Sequence, residues 1–295
     1  MTVCFAVLFI VCSLLNVAAS NQYPICLPSQ PSQTITTDKS VLDVAYDPHG
    51  DKLYVAYWDE DVVDVFNRDG SKNGSIDTEF NTWGSLSSVT IDAGVLYASL
   101  QNRIYVRAVS LCTKEASTVL GPLNGFGNGN IIAKGGHIYI VNYVADAVVL
   151  YESSQESKRF TTDGLRYPQD AAFDHRGNLH VVGTYNGLVY VFDPCGSVSS
   201  TYGKDILKEP NGIFIDDQGN RFIADRKANS VFVFNKRGDN IRTIHLPELA
   251  LNEFQQQSQD LKLVLAPECD MWVTSSANKK ILIYRGGQEP NQCRI

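Results

Sequence analysis

The run DVAYDPHGDKLYVAY, Asp43 to Tyr57, decides the fold because it comes back along the chain. It returns as DAAFDHRGNLHVVGT (Asp170 to Thr184) and as GIFIDDQGNRFIADR (Gly212 to Arg226). Looser copies are SVTIDAGVLYASL (Ser88 to Leu100), NIIAKGGHIYIVNY (Asn130 to Tyr143) and DLKLVLAPECDMWVTSS (Asp260 to Ser276). Aligning one aromatic-type position gives Tyr54, Tyr97, Tyr139, His180, Phe222 and Trp272, with steps of 43, 42, 41, 42 and 50. Each copy continues into a third β-prone run: VVDVF (Val62 to Phe66), IYVRA (Ile104 to Ala108), AVVLY (Ala147 to Tyr151), LVYVF (Leu188 to Phe192), SVFVF (Ser230 to Phe234) and KILIY (Lys280 to Tyr284). These runs are too short for helices and rich in Val, Ile, Tyr and Phe. Polar turns such as Asn67 to Gly70, Asp193 to Gly196 and Asn235 to Gly238 then lead into a fourth, more polar strand.

Four strands in each repeat of about 42 residues is the pattern of a β-propeller blade. The sequence therefore predicts an all-β, six-bladed propeller over residues 21–295, with blades at 40–80, 81–122, 123–164, 165–206, 207–248 and 258–295. A ring must also join its last blade to its first, or two sheet edges stay open. The segment SQTITTD (Ser32 to Asp38) is expected to close it as the outer strand of blade six. That closure would bring Cys26 beside Cys293. A disulfide there would be worth about 5 kcal/mol in the chain-entropy model. The alternatives are that Cys269 pairs with a terminal cysteine, or that Cys112, Cys195 and Cys269 all stay free.

The run Pro210 to Asp225 (PNGIFIDDQGNRFIAD), followed by NSVFVF (Asn229 to Phe234), resembles an NHL repeat, and Pro168 to Val182 is similar. The resemblance implies a six-bladed propeller, a fold shared with gluconolactonase-like, strictosidine-synthase-like and paraoxonase-like enzymes. Fold does not fix function among them.

At 295 residues, 44% hydrophobic and 19% charged, the composition is globular. The net charge of -7 and the absence of a dense Lys/Arg run argue against nucleic acid and acidic lipid. The first twenty residues are uncharged, with an apolar run from Val3 to Val17 ending in Ala18-Ala19-Ser20. This reads as a signal peptide cleaved near Ser20, although no Lys or Arg precedes the run. The rival reading is a signal anchor, for which about 17 apolar residues is the low edge. The protein is expected to be secreted, with no membrane insertion after cleavage. Five cysteines would remain, an odd number that leaves at least one free or joining a disulfide-linked dimer. Asn73-Gly74-Ser75 is the one glycosylation sequon and lies in a turn-like polar stretch.

In a propeller, the loops entering the inner strand and those linking the second and third strands share one face, around the channel mouth. Aligning the inner strands places Asp43, Ser88, Asn130, Asp170, Gly212 and Asp260 in one column, with Asn211 in the column before it. Asp43, Asn130, Asp170, Asn211 and Asp260 are the candidate metal ligands, a hard-oxygen set of the kind that takes Ca²⁺. The competing reading is that the aspartates cap inner strands. The lactonase-type relatives imply a single metal here, with Asn211 matching the Asn of their P-N-G-like motif. Asp47, Asp92, Asp174 and Asp216 recur at the turn after the inner strand, and Asp225 at the next strand end. They read as turn chemistry.

No G-x-S-x-G elbow, triad pattern or H-E-x-x-H spacing is present, and the histidines are scattered. The glycine-rich run Gly125 to Asn130 precedes a strand, so it offers no helix N-terminus to phosphate. The same face collects Trp58, Trp83, Phe126, Tyr143 and Tyr185, with Tyr57 and Tyr167, as candidate ligand-binding rings. The insertion His245 to Gln259 lands there too, as a short amphipathic lid carrying Leu249, Leu251 and Phe254 or as a solvated loop. The expected role is a non-enzymatic module for an extracellular protein, peptide or glycan. A Ca²⁺-dependent lactonase or esterase and a cross-linked matrix component are the alternatives.

Overall fold

The computed structural model describes residues 27–58, 60–80, 85–100, 104–123, 128–251 and 259–286. Period-two runs fold into strands that pair with their sequence neighbours through tight turns. After β1 (Gln33–Thr36), blade one is β2 (Val41–Asp47), β3 (Lys52–Tyr57), β4 (Val62–Asn67) and β5 (Lys72–Asp77). Blade two is β6 (Leu86–Asp92), β7 (Val95–Leu100), β8 (Ile104–Ser110) and β9 (Ala116–Leu123). Blade three is β10 (Asn128–Lys134), β11 (His137–Asn142), β12 (Ala147–Glu152) and β13 (Gln155–Phe160). Blade four is β14 (Pro168–Phe173), β15 (Leu179–Gly183), β16 (Leu188–Phe192) and β17 (Val198–Tyr202). Blade five is β18 (Pro210–Ile215), β19 (Arg221–Asp225), β20 (Ser230–Phe234) and β21 (Asn240–His245). Blade six is β22 (Leu261–Ala266), β23 (Asp270–Ser275) and β24 (Lys280–Tyr284).

These strands form six four-stranded antiparallel sheets, and β1 is the outer strand of the last, beside β24. The inner strand of each blade packs against that of the next, and β22 packs back on β2, so the ring closes. The N-terminal segment thus does what a propeller edge requires.

The core is distributed between blades rather than gathered in one centre. Tyr54, Ala56 and Val63 of blade one meet Leu86, Val89 and Leu96 of blade two. Val264, Trp272 and Ile283 of blade six meet Val44, Leu53 and Val55 of blade one. The aromatic column lies in these seams: Tyr54, His180, Phe222 and Trp272 are all buried. Three of the recurrent aspartates after the inner strand, Asp47, Asp174 and Asp216, are turn caps, whereas Asp92 accepts the Gly136 N–H of the next blade at 3.3 Å. Asp174 Oδ1 accepts the Arg176 and Asn178 N–H groups at 2.9 and 2.8 Å, and Asp216 repeats this with Gln218 and Asn220.

Several expectations are placed differently. Asn73 stands exposed on the outer strand β5 rather than in a turn, its Nδ2 donating to Asn67 Oδ1 at 2.9 Å. In the insertion after β21, Leu249 is buried in the seam of blades five and six, so this part is an anchor rather than a lid. Phe254 lies outside the described residues, as do the expected signal segment, Cys26 and Cys293. Cys112, Cys195 and Cys269 are exposed. No helix among the described residues is long and apolar enough to cross a membrane.

Candidate functional site at the channel mouth

In blades one to five the inner strand carries a register shift near its start, at Val41/Asp43, Leu86/Ser88, Asn128/Ile131, Pro168/Asp170 and Pro210/Gly212. Blade six runs without one: Leu261, Lys262 and Leu263 pair in sequence with Ser275, Thr274 and Val273. Pairing with the aromatic column corrects the expected column in blade six by two residues. Val264 is the partner of Trp272, as Ala45 is of Tyr54, so the blade-six residue equivalent to Asp43 and Asp170 is Lys262, and Asp260 lies outside the column.

The result is a girdle of polar side chains around the channel. Asp43 Oδ1 accepts the Val44 N–H at 2.9 Å, and its Oδ2 accepts the Val89 N–H at 2.9 Å and the Ser88 hydroxyl at 2.7 Å. The Ser88 hydroxyl also reaches Asn130 Oδ1, and its oxygen accepts the Ile131 N–H at 3.1 Å. Asn130 Nδ2 donates to Asp170 Oδ1, which also accepts the Ala171 N–H at 2.8 Å. Asp170 Oδ2 accepts the Ile213 N–H at 3.1 Å. Asp43, Ser88 and Asp170 thereby each cap the inner strand of the next blade. Burial pushes the Asp43 carboxyl up to about 6, opposed by the positive charge of Lys262 and reinforced by Asp170.

Lys262 completes the girdle from blade six. Its Nζ lies 3.3 Å from Asp170 Oδ2 and donates to the Gln169 carbonyl at 3.1 Å. Reaching blade four means passing blade five, where the column residue is Gly212. A Cβ there would stand 2.6 Å from the Leu261 carbonyl oxygen and 3.3 Å from Lys262 Cα, so glycine is what lets the two inner strands approach. The girdle does not fit a Ca²⁺ ion. Every oxygen of Asp43 and Asp170 already accepts an N–H or hydroxyl, and an ammonium sits where a cation would balance the two acids.

Asn211 and Asp260 form a separate group nearer the mouth. Asn211 Nδ2 lies 3.5 Å from Asp260 Oδ1, and Gln259 Nε2 donates to Ser275 Oγ at 3.2 Å. Asn211 and Gln259 are fully buried, and Asn211 Oδ1 and Gln259 Oε1 have no donor. Buried carbonyl oxygens without donors are costly. This group therefore fits a donor or a cation better than the girdle does.

Above the girdle, three of the predicted tyrosines come together. Tyr143 follows β11, Tyr167 precedes β14, and Tyr185 sits in the short 3-10 turn Thr184–Asn186. Tyr167 and Tyr185 stack with centroids 4.4 Å apart and planes 7° from parallel, and Tyr143 leans on Tyr167 at 4.9 Å. Tyr167 is held at a positive φ of 51°. Its N–H donates to Asp146 Oδ1 at 2.7 Å, and its carbonyl accepts the Thr184 N–H at 3.4 Å. Tyr185 remains 64% exposed, beside the ladder it completes. Trp58 is also exposed on this face, whereas Tyr57 is buried packing. Trp83 and Phe126 lie outside the described residues.

No family model and no curated protein matches the chain. Solved structures do. The chain is similar to the WD40 β-propeller domain of Doa1, at 15% identity and a TM-score of 0.66 over 90% of this chain and 99% of that one. It is similar to virginiamycin B lyase from Staphylococcus aureus, at 11% identity and a TM-score of 0.60 over 86% and 98%. A streptogramin B lyase structure matches at 11% identity and a TM-score of 0.62 over 88% of each chain. These likenesses are to the propeller fold. The site must be argued from its own residues.

Sequence reasoning placed four girdle residues, Asp43, Ser88, Asn130 and Asp170, in the column, and the tyrosines on this face, but missed Lys262. The signal was available in the tight hairpin: counting back from the Ala266/Asp270 closure, rather than along the repeat, puts Lys262 in the column.

Proposed function

We propose that this chain is a secreted, NHL-type propeller that binds a protein or peptide partner through its channel-mouth face. The carrying observation is the Tyr143, Tyr167 and Tyr185 ladder, with Tyr185 64% exposed and stacked on a ring fixed by backbone hydrogen bonds. Rigid tyrosines supply large amphipathic contact area at small entropic cost, which suits a protein surface. Val144, 66% exposed beside Tyr143, extends the patch with an aliphatic group that a peptide covers better than a sugar does. Beneath it, the girdle satisfies its own charges.

A random peptide library displayed on phage and selected on the full chain tests this. Selected peptides should lose at least about tenfold in affinity on Tyr185→Ala, an anchor-sized effect. They should be indifferent to Arg237→Ala in the turn on the opposite face. Binders insensitive to Tyr185, or hits confined to a glycan array, would sink the protein-partner reading.

The second reading, a Ca²⁺-dependent hydrolase, has one observation in its favour. Asp260 with the donorless carbonyl oxygens of Asn211 and Gln259 is an acceptor set that a hard cation would satisfy. The lyases among the structural neighbours are compatible with an enzyme on this fold. Stoichiometric metal in the purified protein, lost on Asn211→Ala, would move the argument to that reading.

A further inference from the structure

Asp260 stands at the mouth without a counter-ion. It precedes β22, is partly exposed, and has its backbone fixed from both directions by Ser276, whose Oγ accepts the Asp260 N–H at 2.7 Å and whose N–H donates to the Asp260 carbonyl at 3.1 Å. No Lys, Arg or His among the described residues lies within ion-pair distance of its carboxylate. The nearby cations are engaged elsewhere, Arg226 Nε with Glu209 at 3.2 Å and Lys262 Nζ with Asp170 and the Gln169 carbonyl. Asn211 is fully buried with its amide turned toward Asp260, Nδ2 lying 3.5 Å from Oδ1, and its own Oδ1 has no donor. Oε1 of the adjoining Gln259 lacks one too. An acid beside amide oxygens that lack donors is a place of negative potential short of positive charge. The same acid is within electrostatic reach of the tyrosine ladder. Burial, then Tyr185 and Tyr143, raises the Tyr167 phenol pKa, and Asp260 adds to the rise against the opposing charge of Arg226. A carboxylate next to aromatic rings suits a guanidinium, whose planar fork pairs with the acid while its face rests on ring carbon.

We propose that Asp260 is the anchor point for a basic side chain of the partner, with Asn211 behind it as a second acceptor. This rests on the reading that the ladder engages a protein or peptide, and it gives that partner a chemistry: an apolar residue laid on Tyr185 and Val144, and a basic residue, arginine best of all, directed at Asp260. A chain of net charge -7 also draws a basic segment toward itself. The girdle offers no such anchor, because the oxygens of Asp43 and Asp170 are already taken by N–H and hydroxyl donors.

The test uses the full chain in buffer containing EDTA, so that metal plays no part. Peptides are selected on the wild type from a random phage library, and synthetic copies are titrated by fluorescence anisotropy against wild type, Tyr185→Ala and Asp260→Asn at low and high salt. Peptides that depend on Tyr185 should carry Arg or Lys at one recurring position. Changing that residue to Gln, or Asp260 to Asn, should each weaken binding about tenfold and flatten its salt dependence. Making both changes should cost no more than making one, which is the mark of a direct pair. Tyr185-dependent peptides with no recurring basic residue, or with one indifferent to Asp260→Asn, would overturn this inference and leave the protein-partner reading standing. A selection that yields no Tyr185-dependent peptide would overturn both. If Asp260→Asn does not fold, Asp260→Ser decides by the same criteria, since the backbone bonds to Ser276 do not need the carboxylate.

Discussion

Replacing His180 by Phe, the residue that blade five carries in the same column, should change how the protein responds to acid. His180 is fully buried, with Nδ1 3.3 Å from the Tyr202 hydroxyl and Nε2 3.5 Å from Asp174 Oδ2. Burial, then the nearby Arg221 charge, lowers its pKa to about 4 from 6.5. A base depressed in the fold contributes stability present above pH 6.5 and lost as pH falls toward 4, since the unfolded chain binds the proton first. Between pH 7 and about 4.5 this costs the wild type ~2 kcal/mol. Asp43 acts in the opposite sense. Its pKa is raised to about 6 from 3.8, so the fold binds its proton first and is penalised as pH rises through that window. Acidification over the same range relieves ~2 kcal/mol there. The two terms nearly cancel in the wild type, and His180→Phe removes one of them. Urea unfolding at both pH values for both proteins isolates the histidine and its hydrogen bond to Asp174, because groups that do not touch His180 cancel in the double difference. The variant's stability relative to wild type should be ~2 kcal/mol more favourable at the acid pH than at neutrality. A double difference within about 0.5 kcal/mol of zero would show that His180 protonates in the fold as it does in water.

Gly212→Ala should destabilise by about 1–3 kcal/mol, because its Cβ would stand 2.6 Å from the backbone oxygen of Leu261 and force two inner strands apart. A thermal melt at or above the wild-type temperature would contradict the close approach. Tyr185→Ala, at a site 64% exposed, should leave stability within about 0.5 kcal/mol of wild type, so that any loss of peptide binding reports contact rather than misfolding. The exposed thiols of Cys112 and Cys195 should react with a thiol reagent in the native state at rates close to those in urea. Protection of either by more than about tenfold would mean that it is covered or paired.

The repeat made the fold legible. Propeller blades are local antiparallel meanders, so each hairpin is specified by a short stretch of sequence, and the period follows from counting. The closing strand was legible for a related reason: a sixth copy that ends at its third strand leaves an unpaired edge, and SQTITTD is a β-prone run placed to fill it. The site was harder to read because the column was aligned along the repeat without the strand pairing. Lys262 stands ten residues before Trp272, as Asp170 stands ten before His180, whereas the Asp260 chosen from sequence stands twelve before it, so a carboxylate was read where an ammonium lies. Periodicity is blind to such a change, since a shift of two residues keeps the parity of a strand, and only the pairing shows that Asp260 precedes β22. The stacking of Tyr167 on Tyr185 was also beyond sequence reading. It depends on a positive φ at Tyr167, fixed by Asp146 of the preceding blade.

The division of labour between girdle and mouth follows from where polar groups can be satisfied. Around the axis, inner strands of neighbouring blades converge, and the bulged starts of five of them present N–H groups with no ladder partner. Asp43, Ser88 and Asp170 accept such N–H groups from the blade ahead, which links sheets that otherwise touch through apolar seams. Having accepted them, these side chains are spent as ligands, and Lys262 neutralises what charge remains. At the mouth the constraint is absent, because the loops are solvated, so rings and amides there can stay uncommitted. Asn211 and Gln259 lie at the border between the two regimes, buried like the girdle yet each with a carbonyl oxygen short of a donor, beside the partly exposed Asp260. A ligand that engages the tyrosine ladder and also offers a hydrogen-bond donor toward Asp260 would satisfy both, and selected peptides should show whether a basic or amide side chain recurs at one position.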